Sequence, residues 1–108
     1  VQHYVDVILC ASGYVFVREG PAFRFSLKGY RPDYTVEDRG LIIEVKLCRG
    51  ATDVARVVEE MSADVTPYLQ RQHSVLFIVF DLGGIHDPET FRKDFESNPN
   101  VRVAVIKR

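Results

Sequence analysis

Apolar residues recur along the chain at two periods, and the helical period occurs in two long segments. Residues 1–11 and 54–69 each carry an apolar stripe at helical spacing, which predicts a short first helix and a long second helix. Pro67 lies inside the second stripe, so we expect it to kink that helix or to restart it. The pair Asp87-Pro88, a cap followed by proline in the first helical position, predicts a short third helix.

Other segments are rich in β-branched and aromatic residues and predict strands. Residues 23–28 alternate between apolar and polar positions, which indicates an edge-like strand or an extended loop with a wet, cationic face. The run 75–80 is apolar without alternation, as expected for a central strand covered on both faces. The order α-β-β-β-α-β-α-β predicts an α/β fold, in which a mixed β-sheet is flanked by helices. The other predicted strands are 14–17, 33–36, 41–48 and 101–105.

The strands 33–36 and 41–48 are close enough in sequence to form a hairpin that brings two acidic residues together. If the turn centres on Asp38-Arg39, Asp33 stands opposite Glu44, with β-carbons about 4.5–5.5 Å apart. Two carboxylates at that distance repel each other, and a bound divalent cation removes the repulsion. Lys46 projects from the same face as Glu44, because successive side chains of a strand alternate between faces. The sequence therefore predicts that two acids and a lysine converge.

The strand 41–48 has two faces of different character. One face is entirely apolar, and we expect it to pack in the core; it consists of Leu41, Ile43, Val45 and Leu47. The other face carries the charged residues, and we expect it to lie on the solvent side, where chemistry can take place; it consists of Ile42, Glu44, Lys46 and Cys48.

Composition sets the class of protein. With 108 residues, 46% of them apolar and 27% charged, the chain is expected to fold as one soluble domain, and no apolar run is long enough to cross a membrane. The chain does not begin with Met, so we expect it to be part of a longer protein. Two cysteines without metal-like spacing fit a reduced, cytoplasmic setting.

Charge is distributed unevenly, although the net charge is only −1. Between Arg18 and Arg49 there are seven cationic residues against five acidic ones, a local net charge of +2. Ordinary solubilising charge would explain this excess. The alternative is a cationic rim beside the acids that contacts phosphates and includes Arg24; the candidate nucleic-acid-binding residues in it are Lys28, Arg31 and Arg49.

The hairpin motif resembles a known nuclease signature. Pro32-Asp33 followed by Glu44-Val45-Lys46 on the next strand, within an α-β-β-β-α-β frame, is similar to the PD-(D/E)XK superfamily of restriction enzymes, junction resolvases and repair nucleases. Residues 58–95 are also similar to the C-terminal nuclease domain of DpnII/MboI-type restriction endonucleases. Further matches to that domain are Asp64 and Tyr68, Asp81, Gly83-Gly84 and Pro88.

This resemblance implies a restriction-endonuclease-like core and an activity. The implied protein is a Mg²⁺-dependent endonuclease that hydrolyses DNA within a prokaryotic restriction or defence protein, with Mn²⁺ able to substitute. It implies Asp33, Glu44 and the Val45 carbonyl as metal ligands. Lys46 would serve the attacking water or stabilise charge, and its burial would let it exchange a proton nearer neutrality. Cutting both strands requires two copies, so the expected partners are DNA, a second copy and other domains of the full-length protein.

Some alternatives stay open at the level of sequence. Many members of the superfamily add a third acid from the first helix; here Asp6 and Glu19 are the only nearby acids and neither is assigned as a ligand, so one metal and two metals stay as alternatives. Asp64 and Tyr68 are interpreted as structural residues of one helix face. The alternative function is a catalytically silent module of the same fold that binds nucleic acid or a protein partner.

Overall fold

The computed structural model describes residues 2–20 and 22–107, so Val1 of the predicted first helix lies outside the described residues. The described helices are α1 (Gln2–Ala11), α2 (Val54–Arg71) and α3 (Pro88–Glu96). The described strands are β1 (Val17–Arg18), β2 (Phe23–Phe25), β3 (Lys28–Tyr30), β4 (Tyr34–Val36), β5 (Leu41–Cys48), β6 (Ser74–Asp81) and β7 (Val101–Lys107). None of these helices has the length and apolar character needed to cross a lipid bilayer.

Five of the strands form one mixed sheet in the order β1-β4-β5-β6-β7. The pairs β1/β4 and β4/β5 are antiparallel, whereas β5/β6 and β6/β7 are parallel. The parallel pairs follow from their connections, because each of α2 and α3 returns the chain to the same end of the sheet. The predicted α/β fold with a mixed sheet and flanking helices is confirmed.

Helices cover both faces of this sheet. Helices α2 and α3 pack on one face, where the buried core includes Val57, Met61 and Phe77. Helix α1 packs on the other face through Val5 and Leu9. Strand β6 contributes alternate side chains to both cores, which confirms the prediction that the apolar run 75–80 is a central strand.

The expectation that one face of β5 is open to solvent was wrong. Ile42 and Cys48 are fully buried in the core that α2 covers, and Glu44 between them is only 9% exposed. The reason is the position of β5, which lies between β4 and β6 in a sheet whose parallel part has helices on both faces. The motif residues Glu44 and Lys46 therefore lie beneath α2 and not on an open surface.

Three local predictions also differ from the structure. Residues 23–28 do not form a single strand: β2 and β3 form a separate two-stranded hairpin whose turn is Ser26-Leu27. The first strand is shorter than 14–17, because β1 pairs with β4 only at Val17 and Arg18. Helix α2 does not restart at Pro67, which is buried within it.

Candidate active site

The β4–β5 hairpin has the register that the sequence predicts. Val36 pairs with Leu41, and the pairing continues to Tyr34 with Ile43, so that Asp33 is the residue that faces Glu44. The turn is a short 3₁₀ segment that ends at Gly40, whose φ of 59° is left-handed. A side chain at position 40 would also displace His73, since a β-carbon there would lie 2.6 Å from the His73 ring.

Asp33 and Glu44 hold each other's backbone. The Asp33 N–H donates a hydrogen bond to Glu44 Oε1 at 3.0 Å, and the Val45 N–H donates one to Asp33 Oδ2 at 2.8 Å. Each carboxylate thus accepts a hydrogen bond from the strand that carries the other. This exchange fixes both carboxylates at the point where the chain enters β4.

Burial makes Glu44 the unusual acid of the pair. Burial and the nearby charge of Asp33 raise the pKa of Glu44 from 4.5 to about 7, although the Asp33 N–H and the Lys46 ammonium act in the opposite direction. A carboxyl group with this pKa exchanges its proton near neutrality. A cation that binds here competes with that proton, because both neutralise the same charge.

Lys46 lies among three carboxylates. Its Nζ is 3.6 Å from Glu44 Oε2, 3.4 Å from Glu60 Oε1 and 3.1 Å from Asp64 Oδ2. Burial lowers the pKa of Lys46, but the carboxylates of Asp64, Glu44 and Glu60 outweigh it, so that the pKa lies above its ordinary value. The expectation that Lys46 exchanges a proton nearer neutrality was wrong: its ammonium stays charged.

Helix α2 supplies three side chains to the motif, one from each of three successive turns. Glu60 and Asp64 approach Lys46, and the Tyr68 hydroxyl donates a hydrogen bond to Glu44 Oε2 at 3.1 Å. Tyr68 is buried in the core, as the sequence predicts, and burial followed by the charge of Glu44 raises its pKa. Sequence reasoning did not place Asp64 or Glu60 in the site. The available signal was their spacing of four residues along one face of α2, which is polar at 60 and 64 and flanked by core residues.

The two candidates for a third acid lie elsewhere. Asp6 on α1 accepts a hydrogen bond from the Tyr34 hydroxyl at 2.5 Å and pairs with Arg18 at 3.3 Å, on the face of the sheet opposite Glu44. Glu19 is exposed, and its N–H donates to the Asp33 carbonyl at 2.9 Å. Of these two acids, Glu19 is therefore the one that approaches the motif, and it does so through its backbone.

The three candidate phosphate-contacting cations, Lys28, Arg31 and Arg49, are exposed. Arg31 precedes Pro32-Asp33 directly, and Arg49 follows the last residue of β5. Lys28 on β3 lies 5.0 Å from the centre of the Tyr30 ring and is near enough to Asp64 to lower the pKa of that carboxyl, which burial raises.

The loop after β6 packs against the turn that follows β5. Asp81 is buried, and its carboxylate accepts hydrogen bonds from the N–H groups of Gly83, Gly84 and Ile85. Gly84 packs so closely against the turn between β5 and α2 that a β-carbon on it would lie 2.3 Å from the Gly50 carbonyl oxygen. This contact fixes the turn that connects β5, which carries Glu44 and Lys46, to α2, which covers them.

The chemistry of the donor set agrees with a hard divalent cation. Asp33 and Glu44 provide two carboxylates whose mutual repulsion contributes to the raised pKa of Glu44, and carboxylate oxygens are the ligands that Mg²⁺ prefers. In residues 2–20 and 22–107 no group of three or more His, Cys, Asp and Glu side chains is arranged to hold a metal. Two carboxylates suffice for Mg²⁺, because it keeps several of its waters.

A separate apolar cleft lies on the other face of the sheet. It has a volume of about 500 Å³ between α1 and the central strands, and side chains such as Leu9, Ile43 and Phe80 line it. Neither Asp33 nor Glu44 lines it, so the cleft is distinct from the place where the two acids and the lysine converge.

Comparison with known proteins gives one match. A family model described as REase_DpnII-MboI, a family of restriction endonucleases, matches residues 16–108. No curated protein and no solved structure matches the chain.

Proposed function

The chain belongs to the DpnII-MboI restriction endonuclease family, and we propose that it is a Mg²⁺-dependent endonuclease that hydrolyses the phosphodiester bonds of DNA. The observation that carries this proposal is the convergence of Asp33, Glu44 and Lys46 beneath α2. A domain without this chemistry has no reason to place two carboxylates face to face, one of them buried beside a lysine, because burying charge is costly unless each charge is compensated.

The proposed metal ligands are the carboxylates of Asp33 and Glu44 and the carbonyl oxygen of Val45. Bound Mg²⁺ would supply Lewis-acid polarisation of the scissile phosphate and a water of lowered pKa, and Mn²⁺ would do the same. The protein's part is to keep the carboxylates in place. The hydrogen bonds from the Asp33 and Val45 N–H groups and from the Tyr68 hydroxyl support that role.

Lys46 acts in this proposal as a permanent cation. Its raised pKa argues against a general base, since the ammonium form persists at neutral pH. An ammonium beside the attacked phosphate orients the incoming water and stabilises the negative charge that accumulates on the phosphoryl oxygens. Asp64 and Glu60 hold the ammonium on the side of Glu44.

Lys28, Arg31 and Arg49 are proposed to contact the DNA backbone around this centre. All three are exposed. Phosphate contacts of this kind set the position of the duplex and do not read its sequence.

Cleavage of both strands requires two such centres, so the proposed working form is a homodimer within a longer protein. The corresponding biological role is restriction of DNA in the cytoplasm of a prokaryotic cell.

A plasmid-nicking assay tests the proposal. Supercoiled plasmid is incubated with the wild-type chain, with Lys46→Ala and with Lys46→Arg, in Mg²⁺, in Mn²⁺ and in chelator. We expect metal-dependent nicking by the wild type and a loss of about 10²–10³-fold in Lys46→Ala. Equal nicking by wild type and Lys46→Ala would rule out the assigned role. Metal-independent binding of DNA without cleavage by any form would instead support the silent binding module.

A further inference from the structure

The turn of the β2–β3 hairpin has an unusual residue at its tip. The pairing of Phe25 with Lys28 leaves Ser26 and Leu27 as a two-residue turn, and both have positive φ, 49° and 71°. Such turns favour Asn-Gly, because a side chain without local hydrogen bonding is strained in the left-handed region. Leu27 is nevertheless found there, and it is 89% exposed.

Contacts within the hairpin stabilise the left-handed conformation of its turn. Arg24 Nη2 donates a hydrogen bond to the Leu27 carbonyl oxygen at 2.8 Å, which closes the turn across the hairpin. At the base of the hairpin, the rings of Phe23 and Tyr30 stack with their centres 5.8 Å apart. Backbone outliers of this kind cluster at ligand-contacting segments, so the strained φ of Leu27 at an exposed tip points to a contact with another molecule.

The charge of the hairpin points to the kind of molecule. Residues 20–32 contain no acidic residue and three cations, Arg24, Lys28 and Arg31. The hairpin thus presents an apolar tip between basic side chains, which is complementary to the base edges and phosphates of a nucleic acid.

The hairpin also packs against the candidate active site through its aromatic rings. The rings of Phe23 and Tyr30 lie 6.1 and 6.0 Å from the ring of Tyr68, whose hydroxyl holds Glu44. Arg71 of α2 lies over Phe23 at 5.5 Å. Packed side chains therefore link the hairpin to Glu44, so a ligand that contacts the hairpin lies on the same side of the chain as the motif.

We propose that the β2–β3 hairpin enters the major groove of duplex DNA beside the scissile phosphate, with Leu27 against the base edges and Lys28 against the backbone. The proposal rests on the proposed function, because it takes DNA as the substrate. The major groove of B-form DNA admits a two-stranded ribbon. The major groove of A-form RNA is too deep and narrow for one, so the same geometry disfavours duplex RNA.

Leu27 allows a test in which stability and binding change in opposite directions. Leu27→Gly removes the side chain and the strain, so the midpoint of thermal unfolding should rise by roughly 2–5 °C. Leu27→Ala removes most of the side chain but keeps a β-carbon in the left-handed region, so its midpoint should stay near that of the wild type. Both variants should lose DNA affinity by a similar factor, about 5-fold or more, whereas Leu27→Met should retain it.

Binding is measured by fluorescence anisotropy with a labelled DNA duplex in chelator, so that no cleavage occurs. Val15→Ala is the matched control, because Val15 is another exposed apolar residue and is 77% exposed outside the hairpin. A second duplex of the same sequence in RNA tests the groove assignment. Unchanged DNA affinity in both Leu27→Gly and Leu27→Ala, or equal binding of the RNA duplex, would overturn the inference.

The outcome is separable from the proposed function. If the wild type nicks plasmid with Mg²⁺ and the Leu27 variants bind DNA normally, the endonuclease assignment stands and the hairpin assignment fails. If the wild type does not nick plasmid but the Leu27 variants bind DNA more weakly than the wild type, the hairpin assignment stands without the enzyme assignment.

Discussion

Asp64 of α2 lies 3.1 Å from the ammonium of Lys46 on β5, and it is the nearest of the three carboxylates around that lysine. Both side chains are largely buried, so removing one of the two charges would leave the other buried and uncompensated, which is strongly destabilising. The helix that follows the motif therefore determines where the lysine points. This relationship leads to the first prediction.

Asp64→Asn should reduce plasmid nicking about 10–100-fold while the chain remains folded, because outer residues that orient a reacting group have effects of this size. Asp64→Glu should recover part of the activity, since it restores a charge beside the lysine. Glu59→Gln on the same helix is the control, as Glu59 is exposed. Full activity in Asp64→Asn would show that Lys46 is positioned without it.

Stability should depend on pH through Glu44. Its pKa is raised from 4.5 to about 7 in the folded chain, so the folded state favours the protonated form. The contribution of protonated Glu44 to the free energy of unfolding is fully present below pH 4.5 and is lost as the pH rises through about 7. In chelator, the free energy of unfolding should fall by an amount on the order of 2–3 kcal/mol over this range. Urea titrations at about pH 4.5 and pH 8 measure it.

Glu44→Gln provides the comparison for that titration. It cannot ionise, so its stability should change less between the two pH values than that of the wild type. Addition of Mg²⁺ at the higher pH should stabilise the wild type and leave Glu44→Gln unchanged. The same pH dependence in both proteins would assign the effect to another group.

Metal uptake should depend on the two hairpin acids and not on Asp6. Calorimetric titration with Mn²⁺ should show binding to the wild type and none to Asp33→Asn or Glu44→Gln. Asp6→Asn should bind the metal normally, because Asp6 lies on the opposite face of the sheet, but it should unfold at lower temperature after losing its ion pair with Arg18. Metal binding that is lost in Asp6→Asn would identify it as the third ligand.

Gly84→Ala should strongly destabilise the chain. The added β-carbon would lie 2.3 Å from the backbone oxygen of Gly50, and two backbone segments would have to separate. A loss of about 3 kcal/mol or more in the free energy of unfolding is expected. Gly29→Ala is the matched control, since nothing lies within 4 Å of a β-carbon there. Thermal unfolding of the two variants makes the comparison.

Arg31→Ala and Arg49→Ala should each weaken DNA binding and make the affinity less dependent on salt concentration. Every phosphate contact that is lost should lower the slope of log affinity against log salt concentration by about one. Lys93→Ala on α3 serves as the control for simple loss of charge, because Lys93 is exposed on another helix. An unchanged slope in the two arginine variants would remove them from the interface.

The register of the β4–β5 hairpin could be predicted from the sequence because it depends on local constraints. The short connection and the alternation of side chains determine which residue faces Asp33, and the observed pairing agrees with that prediction. The central position of the apolar run 75–80 could also be predicted, because a short apolar run without alternation, rich in β-branched and aromatic residues, is typical of a strand covered on both faces.

The environment of Glu44 could not be predicted in the same way. Whether a polar face of a strand is open or covered depends on where the following helix returns, which is a tertiary property. Helix α2 returns over that face, and Asp64, Glu60 and Tyr68 arrive with it. The Ser26-Leu27 turn escaped prediction for a different reason, because neither residue carries the usual turn signal.

The regular spacing of Glu60, Asp64 and Tyr68 along α2 limits where residues can be inserted into this chain. One residue inserted near the start of α2 would rotate everything beyond it by about 100° and carry all three side chains away from β5 together. His86 is exposed and lies between the packed turn at Gly84 and the residue that caps α3, so an insertion there leaves α2 in register. Tags, reporter domains and natural insertions should therefore be tolerated at His86 and should inactivate the chain between the start of α2 and Tyr68.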